Sequence, residues 1–153
     1  VGVIATAATV NSAAYPKRIK ELNRRINVVS QACPLFVPLA EEGWFSSDVT
    51  ETVAHKYLDK LKKFGVDTLI LGCTHYPLLK PVLKKVMGKK VSLVDSAQEV
   101  ARDVKALLEK ENMNRPEKHK GRYEFLVSDQ PKHFQQLARR FLGFKIKNVK
   151  RVN

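Results

Sequence analysis

The sequence predicts an α/β protein with a parallel sheet. Short apolar segments alternate along the chain with amphipathic segments of ten or more residues, which is the pattern of strands joined by crossover helices. Gly65 and Gly88 each end a predicted helix, and Ser or Asp residues precede two others. With 153 residues, of which 44% are hydrophobic, the chain is long enough to bury a core.

The predicted strands and helices can be placed from periodicity and breakers. In order, they are a strand at Val1–Ala5, a helix at Ser12–Asn23 with Tyr15, Ile19 and Leu22 on one face, a strand at Asn27–Gln31, a helix at Val49–Phe64, a strand at Asp67–Leu71, a helix at Pro77–Met87, a strand at Val91–Val94 and a helix at Ala97–Glu111. Pro34 and Pro38 exclude the segment from Ala32 to Leu39 from a central strand, so we expect a loop or a short helical turn there.

The last third of the chain begins with a polar, turn-rich segment. Asn112–Gly121 is predicted as a loop or a boundary between domains. A strand at Tyr123–Val127, a helix at Pro131–Leu142 and a strand at Lys145–Val149 are expected after it.

The net charge of +13 is the strongest compositional signal. It suits a phosphate-rich partner or an anionic small molecule. The basic residues are scattered, however, and do not alternate with aromatic residues as a platform for stacking bases would require. Solvated helix faces are therefore favoured, and a nucleic-acid site is the weaker alternative.

The predicted location is the cytoplasm. No run approaches the roughly 18 apolar residues of a membrane span, and no basic segment precedes the opening VGVIATAATV, as it would in a signal peptide. Cys33 and Cys73 are both predicted to be free thiols, and Cys33 is expected to be a buried structural residue.

Cys73 is the main candidate for chemistry. It lies in TLILGCTHYPLLK, where a buried strand runs through Gly72 into Cys73, Thr74 and His75. Backbone amides at such a strand end favour an anion, so a thiolate could act here as a base or nucleophile, with His75 as its partner. A small core cysteine beside a turn histidine fits the spacing equally well. A metal site is disfavoured, since no second pair of ligands stands at a suitable spacing.

Three further residues are candidates for the same crevice. Thr6 and Thr9 follow the first strand as Cys73 follows a later one, and their hydroxyls suit a substrate carboxylate. Helix capping explains them equally well. Glu41 either belongs to a surface pair with Glu42 or orients His75.

Four motifs together resemble the carboxyl-terminal part of bacterial glutamate racemases, in the aspartate/glutamate racemase family. They are VGVIATAATVNSAAY, ACPLFVPLAEEG, LILGCTHYPLL and VDSAQEVA. The resemblance implies a cofactor-independent racemase in which two cysteines, one on each side of the α-carbon, exchange protons with L- and D-glutamate for peptidoglycan synthesis. It implies that Cys73 is one of them, that His75 and Glu41 assist it, and that Thr74, His75 and Thr6 contact the substrate.

The resemblance also implies a domain organisation. Residues 1–94 correspond to a complete, Rossmann-like second domain that carries the GCTH motif, and residues 95–153 to a tail that returns to the first domain, here incomplete. Cys33 does not correspond to the other catalytic cysteine, which the family carries in its amino-terminal half. We therefore expect a fragment that is inactive without that half, and a homodimer stays open. A racemase of another amino acid, such as aspartate, and a basic non-enzymatic binding module remain as alternatives.

Overall fold

The fold is described from a computed structural model over residues 1–115 and 121–152. The elements are β1 (Gly2–Ala5), α1 (Ala7–Ser12), α2 (Ala14–Leu22), β2 (Val29–Ala32), α3 (Phe36–Glu42), α4 (Asp48–Lys63), β3 (Thr68–Gly72), a short 3-10 helix (Tyr76–Leu79), α5 (Lys80–Met87), β4 (Ser92–Asp95), α6 (Ser96–Lys110), β5 (Phe125–Val127), α7 (Pro131–Leu142) and β6 (Val149–Arg151). The chain divides into two compact units, Val1–Val104 and Lys105–Asn153. The predicted boundary at residues 94 and 95 stays a prediction.

The first unit contains a four-stranded sheet in the order β2-β1-β3-β4. All three pairings are parallel, which confirms the predicted fold class. Ala5 of β1 pairs with Gly72 of β3, and Leu71 of β3 pairs with Asp95 of β4. The carboxyl ends of these three strands are therefore level, and the residues that follow them lie at one edge of the sheet.

The core of the first unit lies where α3, α4, α5 and the 3-10 helix pack on the sheet. Ile4, Leu69 and Leu71 of the sheet are fully buried there. Phe36 contacts Tyr57 and Tyr76 edge to face, with ring centroids 5.3 and 5.4 Å apart. These contacts fix α3 against both α4 and the 3-10 helix.

The second unit contains a two-stranded parallel sheet of β5 and β6, and α7 packs on β6. Ala138 and Ile146 are its buried apolar residues within the described part of the chain. Gln135 Nε2 donates a hydrogen bond to the carbonyl of Ile146. Part of the predicted loop at Asn112–Gly121 lies outside the described residues.

Two predicted elements are wrong in extent. The helix predicted at Ser12–Asn23 corresponds to α2, which begins only at Ala14, because Ala13 adopts a left-handed conformation with φ of 54° and separates α2 from α1, a helix that was not predicted. Leu22, predicted on the apolar face, is 71% exposed. The strand predicted at Lys145–Val149 begins only at Val149, since Asn148 is also left-handed, with φ of 57°. A left-handed residue cannot continue an extended strand.

Two proline-containing segments also differ from prediction. Pro77–Met87 is a 3-10 helix followed by α5, since Pro81 has no N–H with which to continue a single helix. The segment predicted as a loop or short turn contains α3. This helix tolerates Pro38 because the proline lies in its first turn, where no N–H is needed. None of the helices in residues 1–115 and 121–152 is both long and apolar enough to cross a membrane.

Candidate active site

Cys73 follows β3 directly, at the level of the end of β1. A Cβ atom on Gly72 would lie 3.0 Å from the carbonyl oxygen of Ile4 and 3.2 Å from the Cβ of Ala5. Separations this short are tighter than most real contacts, so a side chain at position 72 would push β1 and β3 apart. Glycine thus lets the two strands stay close where the thiol leaves the sheet.

Cys73, His75 and Glu41 form a continuous chain of polar contacts. The Sγ atom of Cys73 lies 4.0 Å from Nδ1 of His75, and Nε2 of His75 lies 3.2 Å from Oε1 of Glu41. Because an ionised carboxylate can only accept a hydrogen bond, this contact fits the tautomer in which Nε2 of His75 carries the hydrogen. In the neutral ring, Nδ1 is then unprotonated and can accept the thiol proton.

The imidazole of His75 also faces the hydroxyl of Thr74, and both His75 and Glu41 remain in contact with solvent. Thr74 Oγ1 lies 3.5 Å from the same Nδ1 atom. The side chains of His75 and Glu41 are 24% and 36% exposed. The structure thus brings together four of the predicted site residues, Glu41, Cys73, Thr74 and His75, on an accessible surface.

Tyr76 explains why α3 delivers Glu41 to His75. Its ring is fully buried against Phe36, the first residue of α3, and its hydroxyl donates a 2.9 Å hydrogen bond to the carbonyl of Cys33. The residue next to His75 is thereby attached to the segment that leads into α3. This attachment sets the spacing between the imidazole and the carboxylate.

The two cysteines differ chemically. Cys33 is fully buried, and its thiol donates to the carbonyl of Gln31 at 3.6 Å. Burial raises the pKa of the Cys33 thiol to about 12, because the apolar surroundings disfavour the thiolate. Cys33 therefore stays protonated at neutral pH, whereas Cys73 is partly accessible at the edge of the sheet.

Thr6 and Thr9 lie at the same edge of the sheet, after β1. Their hydroxyl oxygens are 3.1 Å apart, and Thr6 makes no side-chain cap to α1. The two hydroxyls therefore form a pair. Because Ala5 is level with Gly72, Thr6 and Cys73 each follow paired residues of adjacent strands.

Three residues beside the segment that carries Cys73 and His75 were not assigned a site role from the sequence. Nζ of Lys80 lies 2.6 Å from Oδ2 of Asp95, and Ser96 Oγ donates to the carbonyl of Leu71 at 3.2 Å. Asp95 also caps α6, since its Oδ1 accepts from the backbone N–H of Ala97. Lys80 and Asp95 stand on different elements, so spacing in the sequence gives no signal of their contact.

The charge state of Asp95 reflects this environment. Burial alone would raise its pKa, but the hydrogen bond from Lys80 and those from the backbone of Ala97 and Gln98 outweigh it and lower the pKa below that of an ordinary aspartate. Asp95 is therefore ionised at neutral pH although it is only 5% exposed.

Some basic residues have local roles that do not involve a ligand. Lys84 Nζ donates to the carbonyls of Lys89 and Val91 after α5, and Lys85 pairs with Glu51 of α4. In residues 1–115 and 121–152, no cluster of three or more His, Cys, Asp or Glu side chains could hold a metal ion.

Comparison with known proteins gives one family. A sequence profile described as Asp/Glu/hydantoin racemase matches residues 1–104. Over all 153 residues the chain is 50% identical to a glutamate racemase of Geobacter metallireducens, of which it spans 57%.

Solved structures agree with this match. A glutamate racemase of Francisella tularensis in complex with D-glutamate superposes with a TM-score of 0.90 at 36% identity, over 99% of this chain and 57% of that one. A glutamate racemase of Thermus thermophilus in complex with β-chloro-D-alanine gives 0.84 at 43% identity, over 99% and 55%. The chain spans a little over half the length of these relatives, and the predicted resemblance to glutamate racemases is confirmed. Since the family profile covers more than half of the sequence, the chain belongs to the Asp/Glu/hydantoin racemase family.

Proposed function

We propose that this chain provides one catalytic face of a glutamate racemase, which interconverts L- and D-glutamate without a cofactor and so supplies D-glutamate for peptidoglycan. The observation that carries the proposal is the contact chain from Glu41 through His75 to Cys73 at the carboxyl end of β3. This arrangement gives a thiol an adjacent proton acceptor whose orientation a carboxylate fixes.

The proposed chemistry is a proton transfer at the substrate α-carbon. His75 accepts the thiol proton through Nδ1, and the Cys73 thiolate then removes the α-hydrogen of one enantiomer. In the opposite direction, the Cys73 thiol donates its proton to the carbanion and His75 restores the thiol. Glu41 stabilises the imidazolium that forms between these steps.

We assign the substrate α-carboxylate to the hydroxyls beside the thiol. Thr74 contacts the imidazole, and the Thr6 and Thr9 pair follows the adjacent strand. Hydroxyl donors at this edge would stabilise the negative charge that develops as the α-hydrogen leaves. The assignment of glutamate rests on the relatives, whose structures include one with D-glutamate.

The partner we propose is the polypeptide that corresponds to the unmatched part of the relatives. A thiolate is a modest base, so the carbanion needs a site from which water is excluded, yet His75 and Glu41 are 24% and 36% exposed here. A surface that covers them and brings a second thiol to the other side of the substrate would meet both needs. Thiol catalysis also requires a reduced Cys73, which favours the cytoplasm.

The test is solvent deuterium exchange at the α-carbon of each glutamate enantiomer. The 153-residue chain is assayed alone and after mixing with the unmatched amino-terminal part of the Geobacter metallireducens relative. We expect racemisation in the mixture, and Cys73→Ala should slow it at least about 100-fold, because it removes one of the acid/base groups. The matched control is Cys33→Ala, which removes the other thiol and should leave the rate within about threefold.

Three outcomes would contradict the proposal. Unchanged racemisation by Cys73→Ala would remove the thiol from the mechanism. Full racemisation by the chain alone would show that the added part is not needed. Faster exchange of aspartate than of glutamate, measured in parallel, would favour the alternative amino acid.

A further inference from the structure

The loop that carries the candidate catalytic residues is fastened at both ends to the same two residues. This Gly72–Leu79 loop comprises the last residue of β3, the three residues that follow it and the 3-10 helix that leads into α5. The residue before it, Leu71, and the residue after it, Lys80, both bond to the Asp95–Ser96 dipeptide where β4 meets α6. Neither Asp95 nor Ser96 belongs to the contact chain of the site.

The first attachment holds the start of the loop. Ser96 Oγ donates a 3.2 Å hydrogen bond to the carbonyl of Leu71, two residues before Cys73. Leu71 also pairs in register with Asp95 across the parallel ladder. The position of Cys73, which directly follows β3, is therefore tied to the end of β4.

The second attachment holds the end of the loop. The Lys80 ammonium group lies 2.6 Å from Oδ2 of Asp95. The other carboxylate oxygen, Oδ1, accepts from the N–H groups of Ala97 and Gln98 at 2.9 and 3.4 Å. Asp95 is thus held by the first turn of α6 and forms a fixed anchor for Lys80.

The interior of the loop transmits these constraints. The N–H of Tyr76 donates to the carbonyl of Cys73, and the N–H of Leu78 donates to the carbonyl of His75. With both ends held and two internal turns, the loop has little freedom to separate Cys73 from His75. Their Sγ to Nδ1 distance of 4.0 Å is already at the outer limit of a sulfur hydrogen bond, so a small displacement would break it.

We propose that Lys80, Asp95 and Ser96 are positioning residues that hold the Gly72–Leu79 loop at both ends and thereby maintain the contact between the Cys73 thiol and the His75 imidazole. This role gives the proposed racemase three further residues that act through the catalytic pair, and its biological meaning rests on the proposed function. The contact itself can be measured without any substrate.

The test is a double-mutant cycle read out by alkylation of Cys73. Rates of reaction with iodoacetamide are measured by mass spectrometry of the Cys73 and Cys33 peptides from the 153-residue chain. In the parent chain we expect His75→Ala to change the Cys73 rate at least about fivefold, because the imidazole exchanges a proton with the thiol. In the Lys80→Met background, the same substitution should change the rate less than about twofold.

Two controls separate positioning from general loss of structure. Lys80→Arg retains a cation that can reach Asp95 and should restore the effect of His75→Ala. Lys85→Met removes a neighbouring lysine of α5 that pairs with Glu51, and it should leave the effect unchanged. Cys33 reports on folding in every variant, because it is fully buried and reacts only if the core opens.

The outcomes are decisive in either direction. An effect of His75→Ala that is as large in Lys80→Met as in the parent, with Cys33 protected, would overturn the proposal. If His75→Ala leaves the Cys73 alkylation rate of the parent chain unchanged, the proposal is overturned as well, because there would be no contact to maintain. If Lys80→Met exposes Cys33, the same cycle in Ser96→Ala gives the same two readings. Failure of glutamate exchange would leave this thiol measurement intact, so the two proposals can fail separately.

Discussion

The two units of the chain use their apolar residues in opposite ways. In Val1–Val104, the strands and four helical segments bury a continuous core that includes Phe36, Leu58 and Tyr76. In Lys105–Asn153, the buried apolar side chains among the described residues are Ala138 and Ile146. Most of the larger ones are substantially exposed there: Leu107, Met113, Tyr123, Leu126, Phe134, Phe141, Leu142, Phe144 and Val152.

The difference follows from what a parallel sheet requires. Parallel strands are normally covered on both faces, and β1 in the middle of the first sheet is buried along its whole length. The pair of β5 and β6 has no such cover, and Leu126 in the middle of β5 is 51% exposed. Among the described residues, the first unit therefore holds most of the buried core, and we expect it to carry most of the stability of the chain.

The largest expected effect tests this division of stability directly. Leu69→Ala should lower the free energy of unfolding by about 2–5 kcal/mol, because it leaves a cavity in the core of the first unit. Leu126→Ala, the same substitution in a strand of the second unit, should change it by less than about 0.5 kcal/mol. Urea denaturation measures both. Equal costs would show that the second unit has a core of its own in solution.

A smaller effect is expected from a single hydroxyl group within the first unit. Tyr76→Phe keeps the ring but removes a buried hydrogen bond to the carbonyl of Cys33, which then accepts only from the N–H of Phe36, so it should cost about 1–2 kcal/mol. Tyr57→Phe is the matched control, since the Tyr57 hydroxyl accepts a longer, exposed hydrogen bond from the N–H of Leu35. Its cost should stay below about 0.5 kcal/mol. A larger cost for Tyr57→Phe than for Tyr76→Phe would contradict the position of Tyr76 as the link between the loop and α3.

The smallest expected effect concerns acid stability. The pKa of Asp95 is lower in the folded chain than its ordinary value, so its contribution is present above pH 4 and is lost as the pH falls through the folded pKa. Asp95→Asn should therefore cost about 1–2 kcal/mol at pH 7, and less with each step below pH 4.

The second unit provides the control for this titration. Glu124, just before β5, pairs with Lys150 of β6, and that contact also lowers the pKa of Glu124, but both side chains are exposed to solvent. Glu124→Gln should leave the unfolding curve unchanged at every pH. A pH-independent cost for Asp95→Asn would mean that its role is packing and not charge.

The positions of the strands were predicted well because buried strands consist mainly of apolar residues, which can be recognised in the sequence. All four strands of the first unit lie within two residues of their predicted positions, and α7 has the predicted bounds. Apolar runs and capping residues are local signals, and these elements depend on them. The left-handed residues Ala13 and Asn148 are not glycines, so the sequence carries no clear signal of a break there. Two elements were therefore predicted with the wrong extent.

The site was predictable only in part, for a similar reason. Cys73 and His75 are two residues apart on one loop, so spacing alone suggested that they act together. The contact of His75 with Glu41 depends on the packing of α3 against the 3-10 helix through Tyr76, so the residues alone left it open beside a surface pair of Glu41 and Glu42, and only the resemblance favoured it. Lys80 and Asp95 meet across two elements, and no local pattern in the sequence points to their ion pair.

The burial of Cys33 has a consequence for oxidation. Peroxide attacks thiolates, and a thiol whose pKa is about 12 and whose side chain has no access to solvent offers almost none. Oxidative damage in the folded chain should therefore begin at Cys73, where a sulfenic acid would block the proposed proton exchange without disturbing the core. Because no second thiol of this chain is accessible to form a disulfide with it, recovery would depend on an external reductant.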